Sequence, residues 1–397
     1  MEDARPQWTR RGFLRGAGLG MLALAAARPG LAQRAAKGEQ MVYVGTYTNG
    51  ESEGIYLYRL DAGSGALSHV GTTAGVENPS YLALDPARRF LYAVNETMSF
   101  EGEPGGGITS FAVDGATGAL TPINRRPTLG GAPCYVTVDR TGRNVLVANY
   151  MGGNVVVFQA DAEGRLSPAT DDRRHEGRGP NPERQEGPHA HMIALDPEER
   201  FALAADLGLD KIMVYRFDAE RGSLTPNDPA AAELHPGAGP RHFAFHPDGR
   251  RVYVINELDS TVTVFGYDAR EGALRAVQTL STLPEGFDGH SQCADIHVHP
   301  SGRFLYGSNR GHDSIVVYAI DAATGQLTRI GHQSTGGAWP RNFAIDPTGT
   351  FLLVANQRSD TVHTLRIDGE TGQLEPTGHV AEIPAPVCLK IVPAFGA

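Results

Sequence analysis

Hydrophobic and polar positions alternate along this chain in a unit of two short strands joined by a tight turn. The segment YLALDPARRFLYAVNE, residues 81–96, has counterparts in YVTVDRTGRNVLVANY, MIALDPEERFALAADL, HFAFHPDGRRVYVINE, DIHVHPSGRFLYGSNR and NFAIDPTGTFLLVANQ, and a partial seventh copy, CLKIVP. The turn recurs every 46 to 57 residues, and a second pair of alternating strands follows each copy. Seven units of four strands predict an all-β fold, a seven-bladed β-propeller.

The two ends of the repeat region complement each other. The segment MVYVGTYT, residues 41–48, begins at the second strand of a unit, whereas CLKIVP supplies only a first strand. We therefore expect one blade to be shared between the N- and C-terminal segments, with residues 387–392 paired beside residues 41–46. Such sharing closes the ring and leaves no open sheet edge. The repeat covers everything from Met41 onward, which predicts a single domain over residues 41–397.

The N-terminus has the pattern of an export signal. A twin-arginine segment, TRRGFLR at residues 9–15, precedes an apolar run and small residues near Ala32. The run is shorter than the roughly 20 residues that a membrane-spanning helix needs. We expect a twin-arginine signal peptide over residues 1–32 that partners the twin-arginine export machinery, and a periplasmic or secreted mature chain without a membrane span.

Charge and cysteine content narrow the function classes. The formal net charge of −10 argues against a nucleic-acid partner, because phosphate backbones are bound chiefly through Lys and Arg. The three cysteines, Cys134, Cys293 and Cys388, are too few for a disulfide framework and are interpreted as small buried hydrophobes.

The repeat separates scaffold positions from positions that vary. With the turn residue as zero, position +9 is Asn or Asp in all six full copies, which predicts a structural hydrogen bond at the strand end. Positions −6 and +10 vary and carry charge, and both lie at the hairpin end opposite the turn, so we expect them to surround one mouth of the channel. Position −6 holds Ser80, Cys134, His191, Arg241, Ala294, Arg341 and Val387. Position +10 holds Glu96, Tyr150, Leu207, Glu257, Arg310 and Gln357, with Tyr47 in the shared blade.

Four of these residues form the candidate catalytic set: His191, Arg241, Glu257 and Arg310. They fall on three consecutive blades and combine a proton acceptor with cations for an oxyanion or a carboxylate. The neighbours at position −5, His242 and Asp295, are expected to point to the other side of the strand.

Metal and cofactor sites are not expected. The pairs His189-x-His191 and His297-x-His299 could offer two imidazoles on one strand face, but the second pair lies toward the turn, away from the predicted mouth. No Gly-rich loop opens a helix in a way that would bind a nucleotide cofactor.

Several segments resemble a known family. GAGPRHFAFHPDGRRVYVINELDSTVTVF, PHAHMIALDP, CADIHVHPSGRFLYGSNR and WPRNFAIDPTG resemble the seven-bladed lactonases, which include propeller-type 6-phosphogluconolactonases and fungal carboxymuconate-lactonizing enzymes. The resemblance implies that the family's active-site His, Arg, Glu and second Arg correspond to His191, Arg241, Glu257 and Arg310. His189 fits less well, because it lies outside the strand.

The leading hypothesis is a metal-independent lactonase that acts on a sugar lactone, phosphorylated or not. Glu257 or His191 would be the base for an attacking water, and Arg241 would stabilise the oxyanion. Arg310, with Arg341, would hold an anionic group of the substrate, and Tyr150 and Gln357 are further candidate binding residues. The alternatives are a lactone-forming cycloisomerase of the same family and a secreted propeller that only binds, since the fold alone does not fix a function.

Overall fold

The computed structural model describes residues 38–395, and within that range the regular structure is entirely β-strand. All strands belong to one compact unit, Glu39–Ala397. In this described part of the chain, no helix could cross a bilayer. The export signal predicted over residues 1–32 lies outside the described residues.

The strands follow one another with short connections. The first half of the chain contains β1 (Gln40–Thr46), β2 (Gly54–Leu60), β3 (Leu67–Ala74), β4 (Leu82–Leu84), β5 (Phe90–Asn95), β6 (Ser99–Phe100), β7 (Glu103–Pro104), β8 (Gly107–Val113), β9 (Leu120–Pro127), β10 (Pro133–Val138), β11 (Asn144–Asn149), β12 (Asn154–Gln159), β13 (Asp171–Arg174), β14 (Ala190–Leu195) and β15 (Phe201–Asp206). The second half contains β16 (Lys211–Asp218), β17 (Ser223–Glu233), β18 (Pro240–Phe245), β19 (Arg251–Asn256), β20 (Thr261–Asp268), β21 (Ala273–Ser281), β22 (Gln292–Val298), β23 (Phe304–Arg310), β24 (Ser314–Ile320), β25 (Leu327–Ser334), β26 (Pro340–Ile345), β27 (Phe351–Asn356), β28 (Thr361–Ile367), β29 (Leu374–Glu382) and β30 (Pro386–Pro393).

These strands form seven four-stranded sheets, which confirms the seven-bladed β-propeller. The first blade is β4-β5-β8-β9, and the second to sixth blades are β10–β13, β14–β17, β18–β21, β22–β25 and β26–β29. A small extra hairpin, β6-β7, lies between the second and third strands of the first blade.

The shared blade has the order β3-β2-β1-β30. Its strands β1 and β30 pair antiparallel, with Met41 opposite Val392 and Val44 opposite Leu389. This is the predicted closure, in which the end of the chain supplies the innermost strand of the blade that the N-terminal segment begins.

Neighbouring blades pack through apolar side chains from their inner strands. For example, Phe201 and Leu203 of the third blade lie in one buried cluster with Val252 and Val254 of the fourth. All three cysteines are buried and free, as interpreted from the sequence. Sheets that pack face to face in this way hold the inner strands in fixed positions around the axis.

The Asn at position +9 ties several blades to the segments that enter them. The side-chain amide of Asn95 donates to Glu77 O, that of Asn149 to Thr128 O, and that of Asn309 to Thr282 O. These bonds fix the backbone at the end of the inner hairpin that carries positions −6 and +10, which confirms a structural role for this position.

Candidate active site

A β-bulge recurs at the start of the inner strand. In the fourth blade Pro240 pairs with Asn256 and His242 pairs with Ile255, so Arg241 is an extra residue in its strand. The same register shift makes Cys134, His191 and Arg341 the extra, unpaired residues of their strands. A bulge turns two successive side chains toward the same side of a strand. Position −6, which the sequence selected because it varies, is therefore also the site of a repeated backbone irregularity.

Side chains at several of these bulges surround a cavity on the propeller axis. Its volume is about 10 Å³, roughly the space that one water molecule needs, and it is lined by Ser80, Tyr81, Glu96, Cys134, Arg241, His242, Arg341, Asn342 and Val387. Five of the nine lining residues come from position −6, as predicted for one mouth of the channel. Among the candidate residues, Arg241 and Arg341 line the cavity, whereas His191, Glu257 and Arg310 do not.

Glu257 lies at the centre of an arginine cluster beside the cavity. Its Oε2 is 3.0 Å from Arg241 Nε and 2.7 Å from Arg310 Nη2, and its Oε1 is 2.6 Å from Arg184 Nη2. Arg241 Nε is close enough for charge pairing but is not aligned for a hydrogen bond. We call Glu257, Arg184, Arg241 and Arg310 the Glu257 cluster.

The charges of this cluster control its ionisation. Burial alone would raise the pKa of Glu257, but attraction to Arg310, Arg241 and Arg184 holds that pKa well below its ordinary value of 4.5. Burial lowers the pKa of Arg310 to about 10, against the opposing attraction of Glu257. Glu257 is therefore a firmly ionised carboxylate at neutral pH, and such a carboxylate is a weak proton acceptor.

Arg310 contacts backbone carbonyls and an aromatic ring in addition to Glu257. Its Nη2 donates to Cys293 O at 2.7 Å and its Nε to Gln292 O at 3.3 Å, and the guanidinium lies over the ring of Trp339. Most of its donors are thus occupied within the protein.

Arg184 was not identified from the sequence. It lies in the irregular segment between β13 and β14, where no repeat counterpart exists to mark it. The segment is fixed because the Gln185 amide donates to Leu207 O and to Asp210 Oδ1, each at 2.8 Å. These bonds hold the backbone next to Arg184, and only the three-dimensional contacts of Arg184 reveal its place in the cluster.

His191 is buried next to the arginines. Burial lowers the pKa of its imidazole well below 6.5, and the nearby positive charges of Arg241 and other cations lower it further. Its Nδ1 has no hydrogen-bond partner among the described residues. The ring contacts those of Tyr150 and His242, with centroids 5.6 and 5.1 Å away. His191 is therefore a neutral imidazole. Within the described residues, no hydrogen bond at Nδ1 determines its tautomer.

Tyr150 and Gln357 were both predicted to bind substrate, and their surroundings differ. The hydroxyl of Tyr150 accepts a hydrogen bond from Arg184 at 3.3 Å, which places Tyr150 against the Glu257 cluster. The side-chain oxygen of Gln357 is buried and makes no hydrogen bond within the described residues. The contacts bring Tyr150 to the cluster but do not link the Gln357 side chain to it.

A second carboxylate faces the cavity from the first blade. Tyr47 OH donates to Glu96 Oε1 at 2.9 Å, and Arg341 Nη2 lies 3.9 Å from the same oxygen. The Arg341 guanidinium also covers the Tyr47 ring at 5.3 Å. Glu96 and Tyr47 both occupy position +10, so the repeat pattern could have selected them alongside Glu257.

His242 was expected to point away from the mouth, and this expectation is wrong. The bulge at Arg241 places both residues at the wall of the cavity. His242 Nδ1 lies 2.8 Å from Asp295 Oδ1, while Arg241 Nη1 lies 3.4 Å from His242 Nε2. Asp295 Oδ2 contacts His297 Nε2 at 3.0 Å and the Asn342 amide at 2.5 Å.

The His-x-His pairs make separate contacts. His299 interacts with Ser301 and Gly349 O, and His189 interacts with Tyr150 O and Glu186. Across residues 38–395, no group of three or more His, Cys, Asp or Glu side chains is arranged to hold a metal ion.

Comparison with known proteins agrees with this architecture. The sequence model of the family described as Lactonase, 7-bladed β-propeller, matches residues 41–391. A 6-phosphogluconolactonase of Bacillus subtilis is 39% identical over 88% of this chain and 97% of its own length. A 6-phosphogluconolactonase of Formosa agariphila is 34% identical over 77% of this chain and 86% of its own.

Among solved structures, the periplasmic gluconolactonase of Pseudomonas aeruginosa superimposes with a TM-score of 0.84 at 37% identity, covering 89% of this chain and 99% of that protein. The family match spans nearly all of the propeller, and these relatives align over most of their own length. The chain therefore belongs to the family of seven-bladed β-propeller lactonases.

Proposed function

We propose that this chain is a metal-independent lactonase that hydrolyses a sugar lactone. The observation that carries the proposal is the axial cavity, where two guanidinium groups, Arg241 and Arg341, face a small buried space beside neutral imidazoles. Lactone hydrolysis needs a cation for the developing oxyanion and a proton acceptor for water. The names of the relatives, 6-phosphogluconolactonase and gluconolactonase, support the same reaction.

Arg241 is the proposed oxyanion partner. It is fully buried and lines the cavity, so a lactone carbonyl there meets its positive charge in a poorly solvated site. Electrostatic stabilisation is strongest in such surroundings, because water does not compete for the charge. Ala294 O and Glu257 fix the position of the guanidinium before substrate arrives.

Glu257 is assigned a positioning role in place of its expected role as base. Both of its carboxylate oxygens already face guanidinium groups, Oε1 that of Arg184 and Oε2 those of Arg241 and Arg310, so neither oxygen is open to an attacking water. The same charge pairing orients Arg241. The proton acceptor is accordingly a neutral imidazole; the family resemblance implies His191, and His242 is a second imidazole, at the cavity wall.

Arg341 is the proposed partner of an anionic substrate group. It lines the cavity, and its carboxylate neighbour Glu96 is 3.9 Å away, whereas Arg310 is occupied by Glu257 and by backbone carbonyls. The expectation from the sequence was that Arg310 would be the main partner of the anionic group and Arg341 an additional one, whereas Arg341 is here assigned the main role.

The reaction is tested by titrating acid release from a panel of neutral and acidic sugar lactones, with the uncatalysed rate subtracted. We expect saturable hydrolysis of at least one lactone that is unchanged after prolonged treatment with a chelator. Loss of activity that returns with a divalent metal would contradict metal independence. No turnover of any lactone would contradict the proposed function.

Substrate orientation is tested with Arg341→Gln. If Arg341 binds an anionic group equally in the ground and transition states, the variant should raise KM for an acidic lactone by about tenfold or more and leave kcat nearly unchanged. Its effect on a neutral lactone should be small. A similar loss for both substrates would assign Arg341 to the reacting centre or to the cavity wall.

We further propose that the mature chain works outside the cytoplasm. The twin-arginine segment at residues 9–15 supports export, and one structural relative is named a periplasmic enzyme. Replacing Arg10 and Arg11 by lysine in the full-length chain should retain the protein in the cytoplasm, measured by fractionation. Unchanged export would contradict use of the twin-arginine route.

A further inference from the structure

We infer that His242, oriented by Asp295, is the catalytic proton acceptor of the cavity, and that Asp295 is its positioning residue. The inference rests on the proposed lactone hydrolysis and deepens it by naming the group that activates water. His242 lines the cavity, whereas His191 lies outside its lining.

The hydrogen bonds of His242 define its tautomer. Asp295 can only accept when ionised, so the proton of the neutral ring is on Nδ1, which donates to Asp295 Oδ1 at 2.8 Å. Nε2 then carries the lone pair and is approached by Arg241 Nη1 at 3.4 Å, a long distance for a hydrogen bond. This lone pair belongs to a ring at the cavity wall, and an attacking water that displaces the long contact with Arg241 can use it.

Asp295 is itself held rigidly. It is buried, its Oδ1 accepts from the backbone N–H of Ile296 at 3.0 Å, and its Oδ2 accepts from Asn342 and contacts His297. In many nucleophilic and acid–base sites, an oriented carboxylate accepts a hydrogen bond from one nitrogen of the catalytic imidazole. This bond selects the tautomer of the ring and stabilises the imidazolium that forms when the other nitrogen takes up a proton. His191 has no carboxylate at its Nδ1.

The charges around His242 favour a neutral resting ring. Its pKa is lowered to about 4, mainly by burial and next by the charge of Arg241, with a smaller contribution from His297, while the hydrogen bond and charge of Asp295 act in the opposite direction. The rings of Tyr81, Tyr135 and His191 also contact the imidazole. The negative charge that develops on the carbonyl oxygen beside Arg241 would offset positive charge and raise the basicity of His242 as the water attacks.

The oxygen of a water molecule forms a bond to the lactone carbonyl carbon, and its proton passes to His242 Nε2, while the carbonyl oxygen becomes an oxyanion near Arg241. When the tetrahedral intermediate collapses, the ring carbon–oxygen bond breaks. The leaving alkoxide takes the proton back from His242 Nε2, which yields the open hydroxy acid and the neutral imidazole.

The test compares three variants in the full chain: His242→Gln, Asp295→Asn and His297→Gln. His297 is the matched control, because it contacts the same Asp295 but lies at a second, mainly apolar pocket away from the cavity. We expect His242→Gln to lower kcat by about 10² to 10⁴, the usual scale for a general base. His297→Gln should keep kcat within about threefold of wild type.

Asp295→Asn provides a readout that a purely structural role would not change. Loss of the negative charge makes the His242 imidazolium less stable, so the acid limb of the pH profile of kcat/KM should move to lower pH while the plateau falls at least about tenfold. Thermal unfolding checks that each variant is folded. If His242→Gln does not fold, the Asp295→Asn profile decides.

Three outcomes would overturn the inference: folded His242→Gln with kcat within about threefold of wild type, equal losses in His242→Gln and His297→Gln, or an unmoved acid limb in Asp295→Asn. If wild type hydrolyses a lactone but any of these is observed, only the role of His242 fails. If wild type hydrolyses none, the proposed function itself fails.

Discussion

Glu257→Gln is expected to lower the free energy of unfolding by about 3 to 5 kcal/mol, because it removes the shared counter-charge of three arginines. The substitution keeps the size and shape of the side chain. Arg241 and Arg310 are almost wholly buried, so their mutual repulsion would be poorly screened by solvent. The measurement is chemical unfolding of both proteins at pH 7.

The pH dependence of this difference gives an independent check. The folded-state pKa of Glu257 lies below its ordinary value of 4.5, so its stabilising contribution is fully present above that value and is lost as the pH falls toward the folded-state pKa. The wild-type advantage over Glu257→Gln should therefore shrink below about pH 4.5.

Glu96→Gln is the matched control for Glu257→Gln. It occupies position +10 of another blade, but its arginine partner is 3.9 Å away rather than within hydrogen-bond distance. Its stability cost should be clearly smaller. Equal costs for the two variants, or a Glu257→Gln difference that does not change with pH, would contradict the charge argument.

The sequence was sufficient to predict the scaffold because a repeated unit can be compared with itself. Position +9 is nearly constant and makes the strand-end hydrogen bonds seen for Asn95, Asn149 and Asn309. Position −6 varies, and five of its seven residues line the cavity. The missing first strand at one end of the repeat and the isolated first strand at the other likewise predicted the pairing of β1 with β30.

Sequence patterns did not predict the positions of site residues where the chain departs from ideal strand geometry or from the repeat. Alternation assigns His242 to the face opposite Arg241, but a bulge, which alternation cannot reveal, brings both to the cavity. Arg184 comes from a segment with no counterpart in other blades. Glu257 looked suited to accept a proton because a sequence shows residue type and not the number of cations that surround a carboxylate.

Arg241→Lys is expected to lower kcat by about 10² to 10³ with little change in stability, the usual scale for losing one oxyanion donor. Lysine retains the positive charge, so Glu257 keeps three cationic neighbours and the cluster remains neutralised to the same extent. The compact ammonium group cannot reproduce the planar array of donors with which Arg241 contacts Ala294 O and Glu257 while facing the cavity. Steady-state kinetics on one neutral lactone measure the effect without a substrate anion.

The control for this substitution is Arg341→Lys, at position −6 of the sixth blade. Both arginines line the cavity, but only Arg241 is proposed to meet the reacting carbonyl, so Arg341→Lys should leave kcat on the neutral lactone nearly unchanged. If the cavity required only positive charge, both variants would remain active. If it required both guanidinium groups at the carbonyl, both would lose kcat. A selective loss in Arg241→Lys is the result expected when one guanidinium, fixed in advance by Glu257, stabilises the oxyanion.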